Sequence, residues 1–314
     1  SDLLTGKIST DTTVDISLGD GAVVSDIESL ISGAGGFTGS TKISLSKATL
    51  TGAIRTNAPA EITLGEGAAV NDIVNSIDAA IGGAGGFTTS TKISLSKATL
   101  GGSIRTNAPA EIVLGEGSSV ASILNDISSA GGFTGATKIS LSKATLTGGI
   151  TSNATVDLAI GEGSTVAGGI TSTISSAGGF TGATKISLSK ATLTGAIRTN
   201  LPAEISVGDG SSVDAIENII NTSLAAAGGF TTSTKISLSK ATLSGRIATN
   251  APVDLSLDGE SVVAGDIVNA LSAAGGFTGS TKISLSKATL GGSILTNAPV
   301  EISLGDGEIG RAHV

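Results

Sequence analysis

Apolar and polar positions alternate along most of the chain, in a pattern that returns every 46 to 50 residues. The decapeptide TKISLSKATL stands unchanged six times, starting at Thr41, Thr91, Thr137, Thr184, Thr234 and Thr281. In the first copy Ile43 and Leu45 alternate with Ser44 and Ser46, and Leu50 and Ile54 follow across Gly52. Ile62 and Leu64 then alternate with Glu61 and Thr63. Period-two runs bounded by turn residues predict strands. Thr-Asn-Ala-Pro interrupts them, because Asn tolerates the left-handed region and Pro cannot join a central ladder.

The rest of the repeat has another spacing. Val70, Ile73, Val74, Ile77 and Ile81 fall at helical intervals, as do Val213, Ile216, Ile219, Ile220 and Leu224. This predicts one short amphipathic helix per unit. Ser211 with Asp214 resembles a capping-box start, and Ala-Gly-Gly suits a helix end. Gly168 and Gly169 make the fourth copy the weakest.

Lengths separate the two parts. From each Phe of the Gly-Gly-Phe segment to the residue closing the next acidic loop is always 30 residues. The segments from those loops to the next Phe run 16, 20, 16, 17, 20 and 17. A single inserted residue would flip every strand face, whereas three or four residues make one helical turn.

Near-identical copies predict a stacked array. The expected fold is mostly β with short helices, a parallel β-helix-like solenoid of about 47–50 residues per unit. An array of separate small sandwiches is the rival, although units this short can barely bury a core alone. A partial repeat is expected at 1–36 and stacked repeats at 37–307. The units begin near 37, 87, 133, 180, 230 and 277, the last incomplete, and a non-repeat tail covers 308–314. That tail matches the translation of a sequencing-library adapter, so it is expected to be foreign to a repeat that runs on beyond the piece given. No signal peptide is visible.

Composition narrows the chemistry. Cys, Met, Trp and Tyr are absent, and the single His, His313, lies in the tail. Thiol nucleophiles, disulfides, haem and Ser-His-Asp catalysis are excluded or nearly so, and zinc lacks its usual ligands. Net charge is −8, which disfavours nucleic acid. No apolar run approaches the ~20 residues of a membrane helix, and a membrane barrel would lack its aromatic girdles.

The run ISLSKATLTGAI, a turn, then EITLGEGAAV resembles the right-handed β-helix passenger repeats of bacterial autotransporters and giant surface adhesins. Those units pair an LTG-type strand with one ending in a Gly-acidic-Gly loop. The resemblance implies secretion and a role at the cell surface. The helix is a departure from such passengers, which commonly carry a bulky aromatic after the loop.

Repeat positions supply the candidate sites. Phe37, Phe87, Phe133, Phe180, Phe230 and Phe277 share one slot and are expected as fillers under each helix. Asn57, Asn107, Asn153, Asn200, Asn250 and Asn297 share another and would form a stacked turn ladder. Asp20, Glu66, Glu116, Glu162 and Asp209 are weak Ca2+ candidates, against the plainer reading as solvated turn acids. Lys42 and Lys47 with their equivalents form two basic columns, and Arg55, Arg105 and Arg198 a broken third. These fit an anionic polymer or simply a soluble sheet face. Thr49/Thr51, Thr145/Thr147 and Thr192/Thr194 make Thr-x-Thr pairs like those of ice-binding solenoids, interrupted at Gly101, Ser244 and Gly291. Glu61, Glu111 and Glu204, with Asp157 and Asp254, recur in every copy, which is unusual for catalytic carboxylates.

No catalytic residue, cofactor or metal is therefore assigned. The expected function is a structural or adhesive repeat region of an extracellular protein: a stalk, adhesin shaft or filament subunit. The alternative is a ligand-binding solenoid for polysaccharide, Ca2+ or ice. Expected partners are neighbouring repeats, copies end to end, or host or matrix polysaccharide and protein, with no nucleic acid and no membrane span.

Overall fold

The computed structural model describes residues 6–33, 39–82, 86–128, 135–174, 182–221, 223, 232–271 and 279–305. The chain divides into two compact units, Ser1–Ala154 and Thr155–Val314, each a parallel β-solenoid. Among the described residues each complete coil has three arms. The first is a strand of mostly five residues, the second a two-residue strand, and the third a strand of three or four.

In the first unit the first arms are Asp15–Leu18, Thr41–Leu45, Ala60–Leu64, Thr91–Leu95, Ala110–Leu114 and Thr137–Leu141. They pair in parallel in that order. The second unit carries seven: Val156–Ile160, Thr184–Leu188, Ala203–Val207, Thr234–Ser239, Val253–Asp258, Thr281–Ser286 and Val300–Leu304. Their pairing is parallel throughout. Second and third arms share the other sheet, and in Thr99–Thr106 and Ser119–Asn125 they run on as one strand.

The register shows that one sequence repeat makes two coils. Ile43 pairs with Ile62, nineteen residues on, and Ile62 pairs with Ile93, thirty-one residues on. The stretch expected as a helix supplies the second and third arms of the even coil. Val70 lies in Ala69–Val70, beside Thr49–Leu50, and Ile73 lies in Asp72–Asn75, paired with Ile54. Val213 and Ile216 likewise sit in strands, and Gly168 and Gly169 occupy the corner before Ile170–Ser172. Ser211 caps no helix: its Oγ accepts the Ala191 N–H at 3.3 Å.

The physical reason is a shared spacing. Val70 and Ile73 are three residues apart because a corner separates two inward-facing arms. From Ile73 the period is two, through Asn75 to Ile77, all buried. β-Branched Val and Ile suit those arms better than a helix. Of the variable segment, Ala79–Gly82 does form a 3-10 turn in the second copy. Leu224 lies outside the described residues.

Inward residues continue one another coil after coil. Ile43, Leu45, Leu50 and Ile54 stack on Ile62, Leu64, Val70 and Ile73, all at most 4 % exposed. Each Ile or Leu so buried contributes about 1.5–3 kcal/mol. The corner between first and second arms holds a left-handed residue in every coil whose corner is described. Odd coils place Lys there, with φ near 50° at Lys47, Lys97, Lys143, Lys190 and Lys240 and 53° at Lys287. Even coils place Gly67, Gly117, Gly163 and Gly210, or Glu260 at φ 73°.

Candidate functional site

Three outward faces and two corner columns are the places where this fold could meet a ligand. On the first-arm face, the residue in register with Lys42 points outward in each strand. In the first unit that column reads Asp15, Lys42, Glu61, Lys92, Glu111, Lys138. In the second it reads Asp157, Lys185, Glu204, Lys235, Asp254, Lys282, Glu301. Positive and negative charges alternate without exception. The expected basic column is thus a mixed ladder. Lys42 lies 3.8 Å from Glu61, Lys92 3.9 Å from Glu111 and Lys185 3.8 Å from Glu204. These exposed pairs contribute about 0–1 kcal/mol each. The carboxylates weighed for glycoside cleavage, Glu61 and Glu111, are separated by the Lys92 coil.

Beside this ladder runs a column of small residues, Ser17, Ser44, Thr63, Ser94, Val113 and Ser140 in the first unit. The two columns bound a shallow open groove, lined in the second unit by Asp157, Lys185, Ser187, Glu204, Ser206 and Lys235.

The corner column sets Lys47, Lys97 and their equivalents against the acidic loops. The Lys47 N–H donates to the Glu66 carbonyl at 2.8 Å, and the Gly67 N–H to the Lys97 carbonyl at 2.9 Å. A coil bearing Lys always separates one loop acid from the next, so Glu66 and Glu116 stand two coils, about 10 Å, apart. Calcium takes its oxygens at about 2.3–2.6 Å, so this spacing does not gather Asp20, Glu66, Glu116, Glu162 and Asp209 into a site. Among the described residues no three His, Cys, Asp or Glu gather into a group that could hold a metal ion.

On the third-arm face Arg55 and Arg198 are paired with acids. Arg55 reaches Asp26 at 3.0 Å and Glu28 at 3.6 Å, and Lys7 reaches Glu28 at 2.6 Å. The Ala53 N–H, donating to Asp26, and then the Arg55 guanidinium hold that carboxyl below its ordinary value. Burial would raise the Glu217 carboxyl, yet hydrogen bonds from Arg198 at 2.9 Å and Arg246 at 3.3 Å outweigh it and lower it. Arg105 stands between Val74 and Leu124.

The second-arm face is the one without charge along its leading column. Thr49, Thr99, Thr145, Thr192, Thr242 and Thr289 point outward there. In the first unit Thr49, Thr99 and Thr145 alternate with Val23, Ala69 and Ser119, and in the second Thr192, Thr242 and Thr289 alternate with Thr165, Ser212 and Val262.

The six repeated Asn residues do not stack on one another. Each side-chain amide clasps the main chain of the preceding coil: Asn57 at Ile31, Asn107 at Ile77, Asn153 at Ile127. Asn200 does so at Ile174, Asn250 at Ile220 and Asn297 at Leu271. Stacking fails because the intervening even coil puts no Asn at that position.

A second, buried Asn series escaped the sequence reading. Asn75, Asn125, Asn218 and Asn269 are at most 1 % exposed. Asn75 donates to Thr56 Oγ1 at 2.7 Å and to the Ala58 carbonyl at 2.9 Å, and accepts from Thr91 Oγ1 at 2.7 Å. The signal was the recurring Ile-x-Asn, which repeats the inward spacing of Ile54 and Thr56.

Phe87 clusters with Ile77, Ile81, Ala58 and Ala108, its ring against the short 3-10 turn Ala79–Gly82 rather than an amphipathic α-helix. The other five Phe residues, and 308–314, lie outside the described residues. No helix among the described residues is long and apolar enough to cross a membrane. Compared with family models, curated proteins and solved structures, the chain matches none.

Proposed function

We propose that the chain is a structural repeat region of a secreted or cell-surface protein, serving as a stalk, adhesin shaft or filament subunit. The observation that carries this reading is the unbroken repetition of the inward column. Ile16, Ile43, Ile62, Ile93, Ile112 and Ile139 succeed one another in one unit with no coil set apart. Function by elongation asks for that, whereas an active site breaks its repeat. The likeness to autotransporter and giant-adhesin passengers supports an extracellular, bacterial-type setting, and no catalytic role is proposed.

The test is protease shaving of intact source cells, followed by mass spectrometry of released peptides. Release of TKISLSKATL-containing fragments from unlysed cells supports the surface reading. Their recovery only after lysis contradicts it.

A second reading, a ligand-binding array, is favoured by the uncharged second-arm column of Thr, Ser, Ala and Val. Of polysaccharide, Ca2+ and ice, that column suits ice best, since hydroxyls and methyls at regular coil spacing offer no charge to an ionic ligand. Freezing-point depression without a melting-point shift, lost in Thr145→Lys, supports it. Equal freezing and melting points contradict it.

A further inference from the structure

We propose that the first-arm face of the unit Ser1–Ala154 docks a second copy of this chain through its alternating charges. This goes beyond the shaft reading and does not rest on it. Its ground is the column Asp15, Lys42, Glu61, Lys92, Glu111, Lys138, in which sign alternates at every coil.

Such a column is complementary to itself when reversed. A two-fold axis along the strand direction lays one face on the other with the coil order inverted. The six coils then meet as Asp15 with Lys138, Lys42 with Glu111 and Glu61 with Lys92, each contact made twice. Every pair is of opposite sign. A displacement of one coil sets like charges opposite each other and is unfavourable. The Lys donors have capacity for a second acceptor, since their contacts within the chain are long, 3.8 Å to Glu61 and 3.9 Å to Glu111. The hydroxyl column of Ser17, Ser44, Thr63, Ser94 and Ser140 leaves room for the partner's long side chains.

The area is sufficient for recognition. Strands of five residues span about 17 Å, and six of them at about 4.8 Å cover some 29 Å. Face-to-face contact then buries about 1,000 Å² in total, the lower bound of a specific interface. With exposed ion pairs as its main attraction, the contact is weak and salt-sensitive. The seven coils of the second unit would meet like on like at full overlap and pair with opposite sign only when offset by one coil, whereas the first unit pairs at full overlap.

Sedimentation equilibrium of the full chain, from about 20 mM to about 500 mM salt, tests the proposal. The wild type should associate at the low end and dissociate at the high end. Neutralising the acids as D15N/E61Q/E111Q should lower the association constant at least about tenfold. The variants D15K/E61K/E111K and K42E/K92E/K138E should each remain monomeric, yet associate when mixed. Circular dichroism checks that each is folded; if the charge-swapped pair is not, the neutralised variant decides. A wild type that stays monomeric at low salt overturns the proposal. So does association that survives neutralisation, which would mark end-to-end contact instead, or a mixture that fails to associate.

Discussion

The side-chain amide of Asn107 takes the place of a strand neighbour for Ile77. It accepts the Ile77 N–H at 2.6 Å and donates to the Ile77 carbonyl at 3.1 Å. The chain there is leaving the third arm for the loop, so no main-chain partner is at hand. Asn107→Ala should cost about 1–3 kcal/mol, because two part-buried main-chain groups lose their partner. Asn107→Asp should also destabilise, since a carboxylate cannot donate to the Ile77 carbonyl. Urea denaturation of the three proteins measures both.

The buried Asn series should be more sensitive still. Asn125 is fully enclosed, donating to Thr106 Oγ1 and accepting from Thr137 Oγ1 and Ser152 Oγ. Asn125→Leu would take the donor from Thr106 Oγ1 and the Ala108 carbonyl and the acceptor from Thr137 Oγ1, while Ser152 Oγ keeps its bonds to Ala154, at about 1–3 kcal/mol for each group left unsatisfied. A loss of at least about 3 kcal/mol in denaturant titration is expected, larger than for Asn107→Ala.

The left-handed corners make opposite predictions for two neighbouring coils. Gly117 has φ 70°, and a Cβ there would meet Lys97 atoms only at 3.4 Å and beyond. Gly117→Ala therefore meets a conformational penalty with little crowding, about 1–2 kcal/mol. Lys97, at φ 50°, already bears that strain, so Lys97→Gly should be neutral or stabilising. Gly102→Ala differs in kind: its Cβ would lie 2.7 Å from the Asn71 carbonyl oxygen. Thermal melts should order the three as Lys97→Gly most stable and Gly102→Ala least.

Acid should weaken the third-arm face. Both Asp26 and Glu217 are held below their ordinary values, 3.8 and 4.5. A carboxyl lowered on folding contributes stability above its unfolded pKa and loses it as pH falls through the folded one. Stability should thus decline below about pH 4.5, and less so in Glu217→Gln. Melting temperatures between about pH 7 and pH 3 read this directly.

The parallel solenoid was legible from the six near-identical copies of TKISLSKATL, because strict alternation at fixed length favours stacking like on like. The second and third arms of the even coil were not, because Val70, Ile73 and Ile77 satisfy a helical spacing and a strand-corner-strand spacing equally. The deciding clue lay in comparing halves of the repeat. Ile43, Leu45, Leu50, Ile54 and Thr56 find counterparts in Ile62, Leu64, Val70, Ile73 and Asn75. One extra residue between Leu64 and Val70, offset by one fewer between Val70 and Ile73, hides the match. The charge ladder was hidden for the same reason: Lys42 and Glu61 are neighbours only once the half-repeat is recognised.

The two-coil repeat is the central claim, and engineered cysteines test it in a chain that has none of its own. Arg55 pairs in register with Val74, and Val74 with Arg105. Adjacent strands lie about 4.8 Å apart, within disulfide reach, whereas two coils span about 10 Å. Under mild oxidation R55C/V74C should form an intramolecular disulfide and R55C/R105C should not. Bridging in R55C/R105C with none in R55C/V74C would mean one coil per repeat and would contradict the account.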